Sequence, residues 1–334
     1  MTAAVMGAGS WGTTFAQILC DAGTETMLWC RSSEVADSIN TTNKNQRYLP
    51  DCTLPDTLRA TSDAGEALAD ADLVVLAVPA QTLRKNLTIW ADMIPQGAIL
   101  VSLMKGIELD TGKRMSEVIA EVTNWPSEQI AIVTGPNLAH EIAQREYAAT
   151  VVACSDQQTA ENLQKACHAG YFRPYTNPDV IGCELGGTVK NPIAIAVGIA
   201  VGMGLGDNTK AMLITRGLAE TARLGVVLGA DQHTFAGLAG MGDLVATCSS
   251  PLSRNRTFGE KLGRGMPLDE IIANTNQVVE GVTSSKSVLE LARAHSVEMP
   301  ITEVIAAVVY EGLEIGEAVL MLASRTAKPE RYGP

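Results

Sequence analysis

An α/β protein, with a doubly wound parallel sheet in its N-terminal half and an all-α C-terminal half, is predicted by three observations. A glycine-rich turn, Gly7-Ala8-Gly9-Ser10-Trp11-Gly12, follows an apolar run and precedes an amphipathic stretch. Continuous apolar runs recur through the first half, as strands covered on both faces require. Near residue 185 the pattern changes to long helical periods.

Each element follows in chain order. Ala3-Ala4-Val5-Met6 is the first strand, and Gly7 permits the tight turn that ends it. Gly9 lets backbone N–H groups approach a pyrophosphate, and Gly12 lets the next helix pack on the sheet with its positive dipole end toward the phosphates. A dinucleotide is the natural ligand of such a turn. A second strand over 26–30 ends at Arg31, and a helix over 33–39 completes a first βαβ unit. Strands over 73–78, 98–101 and 130–133 then place Pro79, Lys105 and Gly135 at strand ends. Helices are expected over 191–203, 211–228, 267–275, 284–294 and 304–311. No internal repeat or flexible linker separates the halves, 1–184 and 185–334, so they are expected to pack directly and to share a cleft.

Composition narrows the class. At 334 residues the chain exceeds the size, roughly 250–300 residues, at which one core stops growing, which favours two domains. With 46% hydrophobic and only 4% aromatic residues, the Ala/Val/Ile/Leu/Gly-rich mixture suits sheets and tightly packed helices rather than disorder. A net charge of -12 argues against a broad electrostatic grip on nucleic acid or an anionic membrane. Any anionic ligand then needs focused basic residues. Seven cysteines without CxxC or zinc-type spacing suit a reducing cytoplasm. Four histidines, His140, His168, His233 and His295, share no metal-ligand spacing, and no metal is expected. The most apolar later stretch, 193–205, is shorter than the roughly 20 residues that span a bilayer, so neither membrane insertion nor export is expected.

Four segments carry candidate chemistry. Arg31 occupies the strand-end position from which a carboxylate would hold the ribose 2′-hydroxyl of NAD. A guanidinium followed by Ser32 and Ser33 instead suits a 2′-phosphate, which favours NADP and leaves NAD open; a solvated helix-start arginine is the plain alternative. Lys105, in Ser102-Leu103-Met104-Lys105-Gly106-Ile107-Glu108, follows a strand at the cofactor edge and is either ligand-facing or an ordinary surface lysine. Lys190, in Gly186-Gly187-Thr188-Val189-Lys190-Asn191-Pro192, is read as a cation at a buried helix start. There the dipole and burial would lower its pKa and make it a proton donor and acceptor near neutrality, unless it snorkels to water. Finally, Gly237-Leu238-Ala239-Gly240-Met241-Gly242-Asp243-Leu244-Val245-Ala246-Thr247-Cys248 precedes Ser253-Arg254-Asn255. Arg254 with its neighbours makes a phosphate cradle, and Asp243 fixes a substrate hydroxyl or a catalytic lysine; helix capping is the competing reading for Asp243 and Ser253.

The motifs GAGSWG, SLMKGIE, GPNLAHE, KNPIAI, GLAGMGDLVATCSSPLSRN and VVEGVTS occur in this order across nearly the whole chain. Together they resemble the NAD(P)-dependent sn-glycerol-3-phosphate dehydrogenases of the soluble bacterial type. The resemblance implies a Rossmann domain followed by a helical domain of the 6-phosphogluconate dehydrogenase-like type. It implies hydride transfer between NAD(P)H and dihydroxyacetone phosphate, supplying glycerol 3-phosphate for phospholipid synthesis, in a cytoplasmic homodimer. It also implies that Ser10, Trp11, Arg31, Lys105, Ala139, Arg254, Val278 and Glu280 contact the dinucleotide, and that Lys190 is the proton acceptor. Lys105, Gly135, Asn137, Asp243, Ser253, Arg254 and Asn255 would surround the substrate, although Asn137 stands where the family usually has serine. A β-hydroxyacid or 6-phosphogluconate-type dehydrogenase, which prefers a substrate carboxylate, and a non-catalytic NAD(P)-binding sensor are the rival readings.

Overall fold

A computed structural model describes residues 1–273 and 279–326. Among the described residues, eight strands form one sheet: β1 (Thr2–Met6), β2 (Glu25–Trp29), β3 (Arg59–Thr61), β4 (Leu73–Leu76), β5 (Ile99–Ser102), β6 (Ile130–Thr134), β7 (Ala148–Ala153) and β8 (Phe172–Asn177). Their order is β3-β2-β1-β4-β5-β6-β7-β8, and every neighbouring pair is parallel except β6 with β7. The first six therefore follow the doubly wound order, whose crevice opens at the carboxyl ends of β1 and β4, where the strand order reverses. The glycine turn sits at that end of β1.

The central strands form because their residues are apolar on both faces. Ala4, Val5, Met6, Val74, Val75, Leu76, Leu100 and Val101 are all fully buried. Each larger side chain among them contributes about 1.5–3 kcal/mol by leaving water. The covering helices are α1 (Ser10–Asp21), α2 (Ser33–Thr42), α3 (Ala64–Leu68), α4 (Leu83–Trp90), α5 (Met115–Thr123), α6 (Ala139–Ala143) and α7 (Gln157–Ala166). Asp63 and Asp156 cap the starts of α3 and α7 by accepting from backbone N–H groups.

The second half is helical: α8 (Val180–Gly202), α9 (Asp207–Val227), α10 (Asp243–Ser249), α11 (Arg254–Gly263), α12 (Leu268–Ala273), α13 (Glu280–Ala294), α14 (Pro300–Ala306) and α15 (Ile315–Ala323). The helix expected over 267–275 is α12, and residues 274 and 275 lie outside the described residues. The one expected over 304–311 is the end of α14 continued by a π-helical turn, Ala307–Glu311.

The largest departure from expectation is the start of α8. The helix begins at Val180 rather than near 191, capped by Asp179, whose carboxylate accepts from the Gly182 N–H at 2.8 Å. It runs through Gly186, Gly187 and Pro192, residues that ordinarily end helices. Packing overrides propensity here, because α8 is apolar on all sides and is the axle of the helical half. It is long and apolar enough to cross a membrane by length and composition, yet 89% of its apolar window is buried inside the protein. Small residues let its neighbours approach to backbone contact. A methyl group on Gly198 would lie 2.1 Å from the Arg256 carbonyl oxygen, and one on Gly259 would lie 2.1 Å from that of Ile195. The start of α11 is thereby fixed against α8.

Candidate active site

The glycine turn matches its expected geometry. Gly7 has φ +139°, a backbone conformation that L side chains rarely adopt. A methyl on Gly12 would lie 2.0 Å from the Gly7 carbonyl oxygen, so α1 packs directly on the turn. A methyl on Gly9 would meet nothing within 4 Å, so that side of the turn faces open space. Trp11 packs edge-on against Phe15 with ring centroids 5.7 Å apart, and its buried Nε1 has no hydrogen-bond partner. Ser10 Oγ donates to the Tyr48 carbonyl at 3.3 Å. Arg31 is exposed just beyond the end of β2, and the Ala139 carbonyl at the start of α6 accepts from Thr14 Oγ1 at 3.1 Å. Val278 lies outside the described residues.

Residues from four elements meet in one cluster around a buried carboxylate. Asp243 is 1% exposed and shared between two lysines. Lys105 Nζ donates to its Oδ2 at 2.6 Å and to the Gly135 carbonyl at 3.0 Å. Lys190 Nζ donates to Asp243 Oδ1 and, at 2.7 Å, to Thr247 Oγ1. Each element has a reason to deliver its group. Lys105 leaves the end of β5; Gly135, at φ +132°, turns the chain after β6 so that its carbonyl faces inward. Asp243 begins α10 directly after a π-helical turn, Leu238–Gly242. That turn presses on α8, since a methyl on Gly186 would lie 2.4 Å from the Ala239 carbonyl oxygen.

The electrostatics follow from burial. Lys190 is in the middle of α8, not at its start, so the helix dipole contributes nothing at that position. Loss of hydration lowers its pKa, Asp243 pulls the other way, and Lys105 adds like-charge repulsion; the ammonium is pushed down to about 8. Glu280, in the first turn of α13, is pushed up by burial while Arg254, Lys105 and Lys190 oppose the rise.

The other expected site residues have partners of their own. Asn137 Nδ2 donates to Thr150 Oγ1 at 3.0 Å, and its buried Oδ1 has no partner. Ser253 caps α11 by accepting from the Arg256 N–H at 3.3 Å. Asn255 donates to Asn191 Oδ1 at 2.9 Å and accepts from the Gly281 N–H at 2.9 Å, which ties α8, α11 and α13 together. Arg254 is exposed at the first position of α11. Sequence reasoning quoted Thr247 and Asn191 but assigned them nothing. The signal for Thr247 was its spacing, four residues after Asp243, which puts both on one helix face.

A doubly wound parallel sheet whose first strand ends in a glycine turn, with two lysines sharing one buried carboxylate, points to the dinucleotide-dependent dehydrogenases with a helical second half. Comparison with known proteins narrows this. The profile described as NAD-dependent glycerol-3-phosphate dehydrogenase N-terminus matches residues 2–160, and its C-terminal counterpart matches residues 179–320. The chain is 65% identical over 331 residues to a Thermobifida fusca (strain YX) protein named glycerol-3-phosphate dehydrogenase (NAD(P)+), covering 99% of this chain and 98% of that one. A Mycobacterium tuberculosis (strain ATCC 25618 / H37Rv) protein of the same name, numbered 2, is 58% identical over 329 residues, covering 98% of each. A crystal structure of the glycerol-3-phosphate dehydrogenase from Coxiella burnetii superposes with a TM-score of 0.92 at 37% identity, covering 97% of this chain and 99% of that one. The chain belongs to the NAD-dependent glycerol-3-phosphate dehydrogenase family.

Proposed function

We propose that this chain transfers a hydride reversibly between NAD(P)H and dihydroxyacetone phosphate, forming sn-glycerol 3-phosphate for phospholipid synthesis, with Lys190 as its proton donor and acceptor. The observation that carries the reading is the Lys105–Asp243–Lys190 cluster: two ammonium groups share one buried carboxylate, which leaves positive charge over for an anionic substrate.

The residues of the glycine turn fit a dinucleotide. Gly9 leaves room for a pyrophosphate at the N-terminus of α1, and the unpartnered Trp11 Nε1 is a donor awaiting an acceptor. When bound, the nicotinamide supplies the hydride. The chain's own groups do the rest. Protonated Lys190 delivers H⁺ to the substrate oxygen as that oxygen gains charge, and Asp243 and Thr247 hold the ammonium in line. Lys105 stabilises the developing negative charge, and Arg254 at the N-terminus of α11 receives the phosphate. Neutral Lys190 takes the proton back in the reverse direction.

The test is to follow NADPH absorbance on adding dihydroxyacetone phosphate, repeated with non-phosphorylated dihydroxyacetone. Rapid turnover of the first and little of the second is expected; equal turnover of both would remove the phosphate from the reading. We assign Arg31 to the 2′-phosphate of NADPH, since it is exposed at the end of β2 beside two serines. Arg31→Asp is expected to shift preference toward NADH by about tenfold or more; an unchanged ratio of kcat/KM values would place that contact elsewhere. The seven cysteines are all unpaired, which supports a cytoplasmic location. A homodimer rests on the family resemblance and is tested by sedimentation equilibrium, where a monomer mass would discard it.

A further inference from the structure

The chain after α2 folds back as a strap over the glycine turn, and one side chain makes most of the connection. Asn45 is fully buried. Its Nδ2 donates to the Ala8 carbonyl at 3.0 Å and to Thr13 Oγ1 at 2.9 Å, while its Oδ1 accepts from the Tyr48 N–H at 3.3 Å. These partners fix the amide's orientation, because a carbonyl only accepts and an N–H only donates. The Asn45 carbonyl closes the strap on itself by accepting from the Leu49 N–H at 2.8 Å. With the Ser10 hydroxyl on the Tyr48 carbonyl, the strap meets the glycine turn at Ala8, Ser10 and Thr13.

Ala8 lies between Gly7 and Gly9, so its carbonyl is flanked by the two most freely rotating backbone positions of the turn. A carbonyl oxygen that swings toward a phosphate repels it; one held away leaves the N–H groups of the turn facing inward. We propose that Asn45 is a positioning residue for dinucleotide binding, holding the Ala8 carbonyl away from the phosphates and tying it to the first turn of α1 through Thr13. This rests on the dinucleotide reading of the glycine turn and adds to it a residue from outside that motif. Asn45 touches neither the substrate cluster nor Lys190, so its effect falls on cofactor affinity and not on the proton transfer.

Asn45→Asp keeps the side chain's size and its acceptor for the Tyr48 N–H, but replaces the donor that grips Ala8 and Thr13. NADPH titration by fluorescence and steady-state kinetics with dihydroxyacetone phosphate separate the effects. Expected are a Kd and KM for NADPH raised about tenfold or more, with kcat at saturating NADPH within about twofold of wild type. Thr13→Val, which removes one acceptor and adds no charge, is expected to raise the Kd about threefold, and it carries the test alone if the Asp variant does not fold. Wild-type NADPH affinity in the folded variants would overturn the inference, as would a loss of kcat at unchanged affinity. A wild-type protein that takes up neither NADPH nor NADH would overturn the dinucleotide reading itself.

Discussion

Helix α8 carries a buried ionic cluster near each end of its first half, and the two differ in charge balance. Toward the N-terminus, Glu184 accepts from Arg114 Nη1 at 2.6 Å, from the Ser116 N–H at 2.9 Å and from the Ser116 hydroxyl, and Arg114 Nη2 also meets Glu117 at 3.0 Å: two carboxylates, one guanidinium. Six residues further on, Lys190 shares Asp243 with Lys105: one carboxylate, two ammonium groups. The first cluster holds its guanidinium between two carboxylates and joins α8 to the start of α5. The second has its surplus in positive charge and keeps a lysine whose charge is costly to hold, which is what a proton carrier near neutral pH requires. Carboxylates in excess anchor a guanidinium at Glu184, whereas ammonium groups in excess leave positive charge for chemistry at Lys190.

That contrast is most easily broken at Lys190. Lys190→Ala is expected to lower kcat by a hundredfold to ten-thousandfold and leave the NADPH Kd nearly intact. Steady-state kinetics with a parallel fluorescence titration check both halves of the statement. Glu184→Ala is expected to act the other way, destabilising the fold by about 1–3 kcal/mol because it leaves the Ser116 N–H without its acceptor and Arg114 with only the more exposed Glu117, while kcat falls less than tenfold. Urea unfolding measures the first quantity. A variant of normal stability and hundredfold lower turnover would erase the distinction between the clusters.

Glu220 sharpens the comparison from a third direction, as a buried carboxylate that accepts from backbone and hydroxyl donors. It accepts from the Ile301 N–H at 2.7 Å at the start of α14, and burial pushes it up to about 7. Because its pKa is raised above the ordinary value of 4.5, the stability it contributes is complete below about 4.5 and is lost as pH rises through about 7. Glu220→Gln removes that titration. Its unfolding free energy should change less between pH 5 and 8 than the wild type's, by on the order of 2 kcal/mol. Parallel curves across this range would show that Glu220 does not titrate there.

The nucleotide half was more legible in the sequence than the helical half, for a physical reason. β1, β4, β5 and β6 are buried on both faces, so they read as unbroken apolar runs, and the glycine turn binds through backbone that only particular glycines permit. The edge strand β3 is three residues long, and β8 alternates exposed and buried positions around Pro174, so neither stands out. In the helical half, Gly186, Gly187 and Pro192 argue for a loop by local propensity, and only contacts made by distant segments hold them helical. Lys190 and Asp243 were legible as reactive residue types. Their contact was not, since 53 residues separate them and a π-helical turn sets the carboxylate's position. The Asn45 strap left no signal, because a buried asparagine and a surface loop asparagine look alike in one sequence.

The most direct test of the Lys190 cluster is the pH dependence of kcat/KM for dihydroxyacetone phosphate, measured with NADPH from pH 7 to 10. Lys190 must be protonated for reduction, and its pKa is depressed to about 8. The rate constant should therefore hold level below that value and fall tenfold per unit above it, while glycerol 3-phosphate oxidation rises through the same pH. A reduction profile that stays flat to pH 9.5 would contradict proton transfer by a buried lysine of lowered pKa.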